Sequence, residues 1–208
     1  MINIKTLNFG PMANSTYIVS DSESSNCFIV DPSWNMQSIE NILTKENLKP
    51  AFIILTHGHF DHSKNLCELV KKLNVPVYIH KEDVFMLEKI PSENIKTLKG
   101  DCELKLNGTK IEIIHTPGHT KGGICILIGK NLFTGDTLFV GQCGRVDFPY
   151  SAPEKMHESL VKLSKMDKDI KILPGHMPET STIGNEIKTN SCLKLALKSR
   201  EDFLEAMR

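Results

Sequence analysis

Five histidines and two aspartates stand where they could do chemistry together. Four of the seven fall in one stretch, T-H-G-H-F-D-H, as His57, His59, Asp61 and His62; His119 stands in TPGHT, Asp136 in FTGDT and His176 in LPGH. Neutral imidazole and carboxylate are the ligands that suit zinc, iron or manganese. In an extended loop alternate side chains share a side, so His57 and His59 can grip one ion, while Asp61 and His62, at the start of the next helix, can address a second. A carboxylate such as Asp136 would bridge ions ~3.5–4 Å apart, the spacing two-metal hydrolases use. Water between such ions loses its proton readily, its pKa falling from ~15.7 toward ~7 with one zinc. The expected cofactors are two divalent ions, zinc first, with iron and manganese as the other candidates. Asp61 and Asp136 are carried as catalytic as well as ligating.

Taken singly, each residue has a plainer reading. Asp61 can serve as a helix N-cap, a role compatible with ligation. A lone His119 or His176 is more often a satisfied turn histidine, and Asp136 alone is an ordinary turn aspartate. The H-x-H-x-D-H cluster with three further sites in matching contexts tips the balance to a metal centre. His80 closes a strand and His157 lies on the polar side of a helix, so both read as structural or solvated. His115 reads as strand packing, with support of a ligand as its other role.

The matching context is a strand that ends in a turn. AFIIL (51–55) is an apolar run covered on both faces, and it feeds the histidine stretch; KIEIIH (110–115), LFT (132–134) and DIKIL (169–173) lead to the other three sites. Glycine accompanies each turn, at Gly58, Gly118, Gly135 and Gly175. Runs 15–19 and 27–31 make a hairpin across DSESSN, Ser38 to Leu43 is helical, and Leu66, Leu69, Val70 and Leu73 mark an amphipathic helix closed by Asn74. VPVYIH (75–80) and ICILI (124–128) are strands, and Lys81 to Lys89 is a helix. Ser151 to Glu154 resembles a capped start, with Ser151 as the cap, for a helix carrying Met156, Leu160 and Leu163; a last helix covers about 192–207. Strands and helices in both halves give a sheet-centred α/β domain with helices on its outer faces, and strand ends in such sheets can bring distant turns to one spot.

Composition narrows the partners. The 208 residues fit one domain, 1–208, and 25 Lys plus Arg match 25 Asp plus Glu, so no net charge or basic tract offers itself to a phosphate backbone. Nucleic acid is a poor partner and a small molecule the expected one. No apolar run approaches the ~20 residues of a membrane span, and MINIKTLNFGPMANS lacks a secretory signal, which makes the cytoplasm the expected location. The six cysteines form no C-x-x-C pair and read as reduced, buried small side chains, with Cys143, between Gly141 and Gly144, as the candidate exception.

These motifs together resemble the metallo-β-lactamase superfamily, and within it the glyoxalase II-like small hydrolases: IVDP, THGHFDH, HTPGHTKGG, LFTGDTLF, GQCGRVDFP and LPGH span nearly the whole chain. The resemblance implies a four-layer αβ/βα sandwich, two mixed sheets with helices outside and metals at one edge. It also implies one ion on His57, His59 and His119, a second on Asp61, His62 and His176, and Asp136 between them. The familiar dizinc β-lactamases place a cysteine where Asp136 stands, which argues against antibiotic hydrolysis.

The implied activity is hydrolysis of a thioester resembling S-lactoylglutathione, or a related ester, by activated water. The alternative is a mono-iron persulfide dioxygenase, whose G-C-G-R-x-D-F loop the segment Gly141 to Phe148 nearly matches. Arg145 and Cys143 are the candidate substrate-binding residues, Arg145 as a clamp for a carboxylate or else as a surface ion pair. Two departures bear on glutathione. Asp147 and Pro178 stand where the family has tyrosines, and the chain ends at Arg208, short of the family's longer helical region.

Overall fold

Alternation within three short apolar strands decides the architecture. The computed structural model describes residues 2–21, 24–87 and 90–207. In β2 (Asn14–Asp21), β3 (Asn26–Val30) and β4 (Lys49–Ile54), Tyr17, Val19, Phe28, Val30, Phe52 and Ile54 belong to one buried cluster, while Ile18, Cys27, Ile29 and Ile53 belong to another. A strand looks apolar throughout when both of its faces are covered. With β1 (Ile2–Phe9), β5 (Val77–His80) and β6 (Ile95–Leu98) they form one sheet in the order β1-β2-β3-β4-β5-β6, antiparallel from β1 to β3 and parallel from β3 to β6.

A second six-stranded sheet, in the order β12-β11-β10-β9-β8-β7, comprises β7 (Cys102–Leu106), β8 (Thr109–His115), β9 (Ile124–Ile128), β10 (Asn131–Gly135), β11 (Lys171–Pro174) and β12 (Ser181–Thr182). Within it β10 and β11 pair in parallel and the other neighbours antiparallel. Its inner residues Ile111, Ile113, Ile124, Ile126, Ile128 and Phe133 pack into the same cluster as Phe28 and Ile54, which is the seam between the sheets.

Outside the first sheet lie α1 (Met36–Lys45), contributing Ile39 and Leu43, and α3 (Leu66–Leu73), contributing Leu66, Leu69 and Val70. A single turn, α2 (Phe60–Ser63), precedes α3. Outside the second sheet, α4 (Pro153–Ser164), α5 (Ile183–Thr189), α6 (Ser191–Lys198) and α7 (Arg200–Ala206) cover Cys125, Leu132 and Ile172. Each fully buried apolar side chain of this size stabilises the fold by roughly 1.5–3 kcal/mol. The result is the expected α/β sandwich of two mixed sheets with helices on both outer faces. Among the described residues no helix is long and apolar enough to cross a membrane.

Several local expectations change. The helix expected over 81–89 is a 3₁₀ helix, Lys81–Met86, and positions 88 and 89 lie outside the described residues, as do positions 22 and 23 of the DSESSN turn. The helix expected over 192–207 breaks at Ser199, whose extended backbone lets its side chain accept a hydrogen bond from the Asp202 amide and so start α7. Ser151 does not cap α4: the N-cap position is Ala152, and the Ser151 hydroxyl donates instead to the Phe148 carbonyl. β1 has no counterpart among the expected strands, because its residues alternate between half-buried and exposed along the edge of the sheet.

Candidate metal centre

The sandwich carries its chemistry at one edge, where strands end. β4 runs into Thr56, His57 and His59; β8 into the turn holding His119; β10 into Asp136; and β11 into Gly175 and His176. The first sheet thus supplies His57, His59, Asp61 and His62, and the second supplies His119, Asp136 and His176. All seven meet.

His57 Nε2 stands 3.1 Å from His59 Nδ1, which stands 2.9 Å from His119 Nε2. On the other side, His62 Nε2 is 3.2 Å from His176 Nε2, and each lies 3.5 Å from Asp61 Oδ2. Asp136 sits between the two groups: Oδ2 is 3.4 Å from His119 Nε2 and 3.2 Å from His176 Nε2, and Oδ1 is 3.4 Å from His62 Nε2. Three sets of side chains (His57, His59 and His119; His57, His62 and Asp136; Asp61, His62 and His176) place their ligand atoms within 4.8 Å of one another and could each hold an ion.

The residues around the ligands fix which nitrogen faces inward. The Thr56 hydroxyl donates to Asp31 Oδ2, so it must accept from His57 Nδ1–H. His62 Nδ1 can only donate to Asp31 Oδ2, His119 Nδ1 to the Arg145 carbonyl at 2.7 Å, and His176 Nδ1 to the Met12 carbonyl at 2.9 Å. A neutral imidazole that donates from Nδ1 keeps its Nε2 lone pair for a metal. Four of the five rings are therefore locked with a ligand atom toward the centre.

Electrostatics fit a site built to take positive charge. Burial, then repulsion from His62, pushes the His57 pKa well below its ordinary value; burial and His119 lower His59 to about 4. Burial opposes charge on His62 too, yet Asp136 and the bond to Asp31 raise it to about 9. Asp136 is opposed by burial as well, but His62, His176 and His57 hold it far below the usual carboxylate range. A proton on His62 offsets the carboxylates where a cation would. Asp136 Oδ1 is buried and finds no hydrogen-bond donor among the described residues. A buried carboxylate oxygen without a donor, aimed at converging imidazoles, fits a cation.

Close packing keeps the backbone out of the way. A β-carbon on Gly175 would overlap Asp136 Oδ1, and one on Gly144 would overlap the Asp136 carbonyl, so only glycine fits at either position. The N-cap reading of Asp61 is corrected. It lies in the first turn of α2, which has no side-chain cap, and its Oδ2 accepts from Asn14 Nδ2 at 2.8 Å.

Other expectations divide. Arg145 lines the cavity over the centre, but its Nε and Nη2 both donate to Asp147, at 2.9 and 2.6 Å, so of its two expected roles the ion pair is the one formed. Cys143 is corrected: its side chain is buried among Leu138, Val146 and Leu193 and does not line the cavity, because the loop turns it toward Cys192. His80 and His115 stack on each other, centroids 4.0 Å apart, and His157 bonds the Ala196 carbonyl, so these three serve packing.

Sequence reasoning misses four polar residues that support the site. Asn14 orients Asp61 and accepts from Trp34 Nε1; Asp31 and Thr56 orient His57 and His62; and Asp83 accepts from Gly58 N, Gly122 N and the Thr120 hydroxyl. Asp83 thus ties the loop of His57 and His59 to that of His119. The motif IVDP contains Asp31 and the T-H-G-H-F-D-H stretch begins with Thr56, whereas nothing local marks Asn14 or Asp83.

Residues 9–176 match the description "Metallo-beta-lactamase superfamily". A probable polyketide biosynthesis zinc-dependent hydrolase of Bacillus subtilis, PksB, is 32% identical over 164 residues, covering 78% of this chain and 72% of that protein. Among solved structures, the B3 metallo-beta-lactamase BLEG-1 superposes with a TM-score of 0.83 at 27% identity, covering 92% of this chain and 99% of its own. TTHA1623 in a di-iron-bound form gives 0.80 at 29%, covering 90% and 98%.

Proposed function

Because the chain belongs to the metallo-beta-lactamase superfamily, we propose that it is a metal-dependent hydrolase of the glyoxalase II-like kind, acting on a thioester or related ester. The observation that carries this reading is the pair of facing ligand sets with Asp136 between them, its Oδ2 3.4 Å from His119 Nε2 on one side and 3.2 Å from His176 Nε2 on the other. His57, His59 and His119 would hold one ion, and Asp61, His62 and His176 the other, with Asp136 between. Zinc is the first choice, in keeping with the zinc-dependent relative; the di-iron form of a similar fold keeps iron open.

Divalent cations held there would lower the pKa of water toward ~7 and would draw charge from a carbonyl oxygen. The protein's own part is positional. Asn14 and Asp31 keep Asp61 and His62 aimed, Asp136 balances charge from both sides, and apolar side chains line the cavity above. In the overall reaction the oxygen of water joins the acyl carbon, the carbon–sulfur bond breaks, and a carboxylate and a thiol result. A thiolate leaves without a strong acid beside it, which matches a site whose side chains are ligands rather than proton donors. The partner is a small molecule, and we place the protein in the cytoplasm.

The ligand residues alone do not separate this reading from a mono-iron dioxygenase; the metal bound and the products formed do. The test is to purify the protein, measure its metals, and compare release of thiol from S-lactoylglutathione with oxygen uptake on glutathione persulfide. Thiol release without oxygen uptake supports the hydrolase; oxygen uptake with one iron per chain overturns it.

A further inference from the structure

The large apolar side chains that this fold leaves in solvent are concentrated at the mouth of the metal centre. Eight are exposed among the described residues: five, with Phe85, Phe148 and Tyr150 among them, line the cavity over the centre, Val140 and Met177 line the hollow that adjoins it, and Leu197 lies elsewhere. The cavity encloses about 620 Å³, and its floor is His59, Asp61, His119, Asp136 and His176. An exposed apolar patch that is concave and closes on reactive groups marks a ligand site.

The rim is continuous with the centre. Phe148 meets the rings of His59 and His119 edge-on at 5.7 and 5.8 Å, Phe139 meets His176 at 5.9 Å, and Phe85 and Tyr150 contact each other at 5.1 Å. Tyr150 and Met177 are held at φ values of 72° and 68°, in the left-handed region that bulky side chains rarely adopt. Strained backbone that presents an apolar side chain to solvent beside a site is a feature the fold must support elsewhere. The charges point the same way. Of the charged side chains lining the cavity among the described residues, Asp61 and Asp136 face the histidines and Arg145 is closed on Asp147, so these walls offer no unpaired cation to a carrier that bears carboxylates.

We infer that the site selects esters and thioesters whose acyl group is an extended apolar chain, which lies against Met12, Phe60, Phe85, Phe139, Phe148 and Tyr150 with its carbonyl at the histidine floor. This rests on the hydrolase reading above and names the acyl group that reading leaves open. Each methylene fully buried on such a surface is worth about fourfold in binding. Small hydroxyacyl groups would leave most of the cavity to water.

The experiment uses the metal-loaded protein and a series of N-acetylcysteamine thioesters, acetyl, butanoyl and octanoyl, with S-lactoylglutathione beside them. Selectivity, kcat/KM, should climb at least about 100-fold from acetyl to octanoyl. Phe85→Ala and Tyr150→Ala, both at exposed positions, should flatten that climb, and Leu197→Ala should not. Calorimetry with the uncleavable thioether S-octyl-N-acetylcysteamine should show binding with a negative heat-capacity change that weakens in Phe85→Ala. Hydrolysis that is indifferent to chain length, or fastest on S-lactoylglutathione, overturns the inference and leaves the hydrolase reading intact. Tight, Phe85-dependent thioether binding with no thioester cleaved supports the apolar site and overturns the hydrolase reading. Concentration-dependent dimerisation abolished by Phe85→Ala, without thioether binding, assigns the patch to a second copy and overturns the inference.

Discussion

Nδ1 of His62 donates to Oδ2 of Asp31 across 3.0 Å, and both side chains are sealed from solvent. The same carboxylate accepts from the amide and hydroxyl of Thr56, so one buried aspartate sets the orientation of a ring in each ligand set, His62 directly and His57 through Thr56.

Asp31→Ala should therefore weaken metal binding at both places together. Loss of such a support typically costs about 10–100-fold in affinity. Competition with a chromophoric chelator measures it, and unchanged affinity would show that the rings hold their aim without Asp31.

Asp83 makes a different kind of demand. Asp83→Ala leaves Gly58 N, Gly122 N and the Thr120 hydroxyl without their acceptor, in a place closed to water. At ~1–3 kcal/mol for each buried orphan, with partial relief by relaxation, a loss of about 3 kcal/mol is expected, which lowers Tm by roughly 6–12 °C. Thermal unfolding of the metal-loaded protein reads it directly. Thr120→Val, which removes one donor rather than the acceptor, should cost much less.

Metal removal should be felt in stability as well as activity. A cation at about 100 times its Kd adds about 2.7 kcal/mol, so chelation should lower Tm by several degrees and zinc should restore it. Asp136→Ala should abolish turnover and most of the metal-dependent rise in Tm. A variant with full activity would contradict the assignment of Asp136.

The cysteines should separate by reactivity. Burial raises Cys27 to about 12 and Cys125 to about 11, so both remain neutral thiols near pH ~8. Interaction between the Cys143 and Cys192 thiols holds Cys192 below its ordinary value and Cys143 above it. Since thiolate is the reactive form, brief alkylation of the folded protein at about pH 8 should label Cys192 ahead of Cys27, Cys125 and Cys143, as peptide mass analysis would show. Cys143→Ala, which removes the neighbouring thiol, should slow that early reaction.

The ligands are legible in the sequence because each sits where a strand stops, and a strand buried on both faces writes an unbroken apolar run such as AFIIL just before it. The supports are not legible because their partners are distant: Asn14 acts on a residue 47 positions away, Asp31 on one 31 away, and Asp83 on amides 25 and 39 away. No local periodicity encodes such pairs. Half-exposed alternation hides β1, and the apolar spacing of the last helices runs on across Ser199 and so hides the break there. Cys143 misleads for a related reason. A loop can bury one side chain while it offers another to solvent, and Arg145 is the one it offers.

Four of the seven ligand candidates hang from one sheet and three from the other. Neither half can assemble a full set alone, since His119 must cross to complete one and His176 to complete the other. A cation held there would act as a rivet through both leaves of the molecule. Parting of the leaves would pull both sets of ligands apart at once, so the grip on the metal and the closure of the sandwich should be lost together.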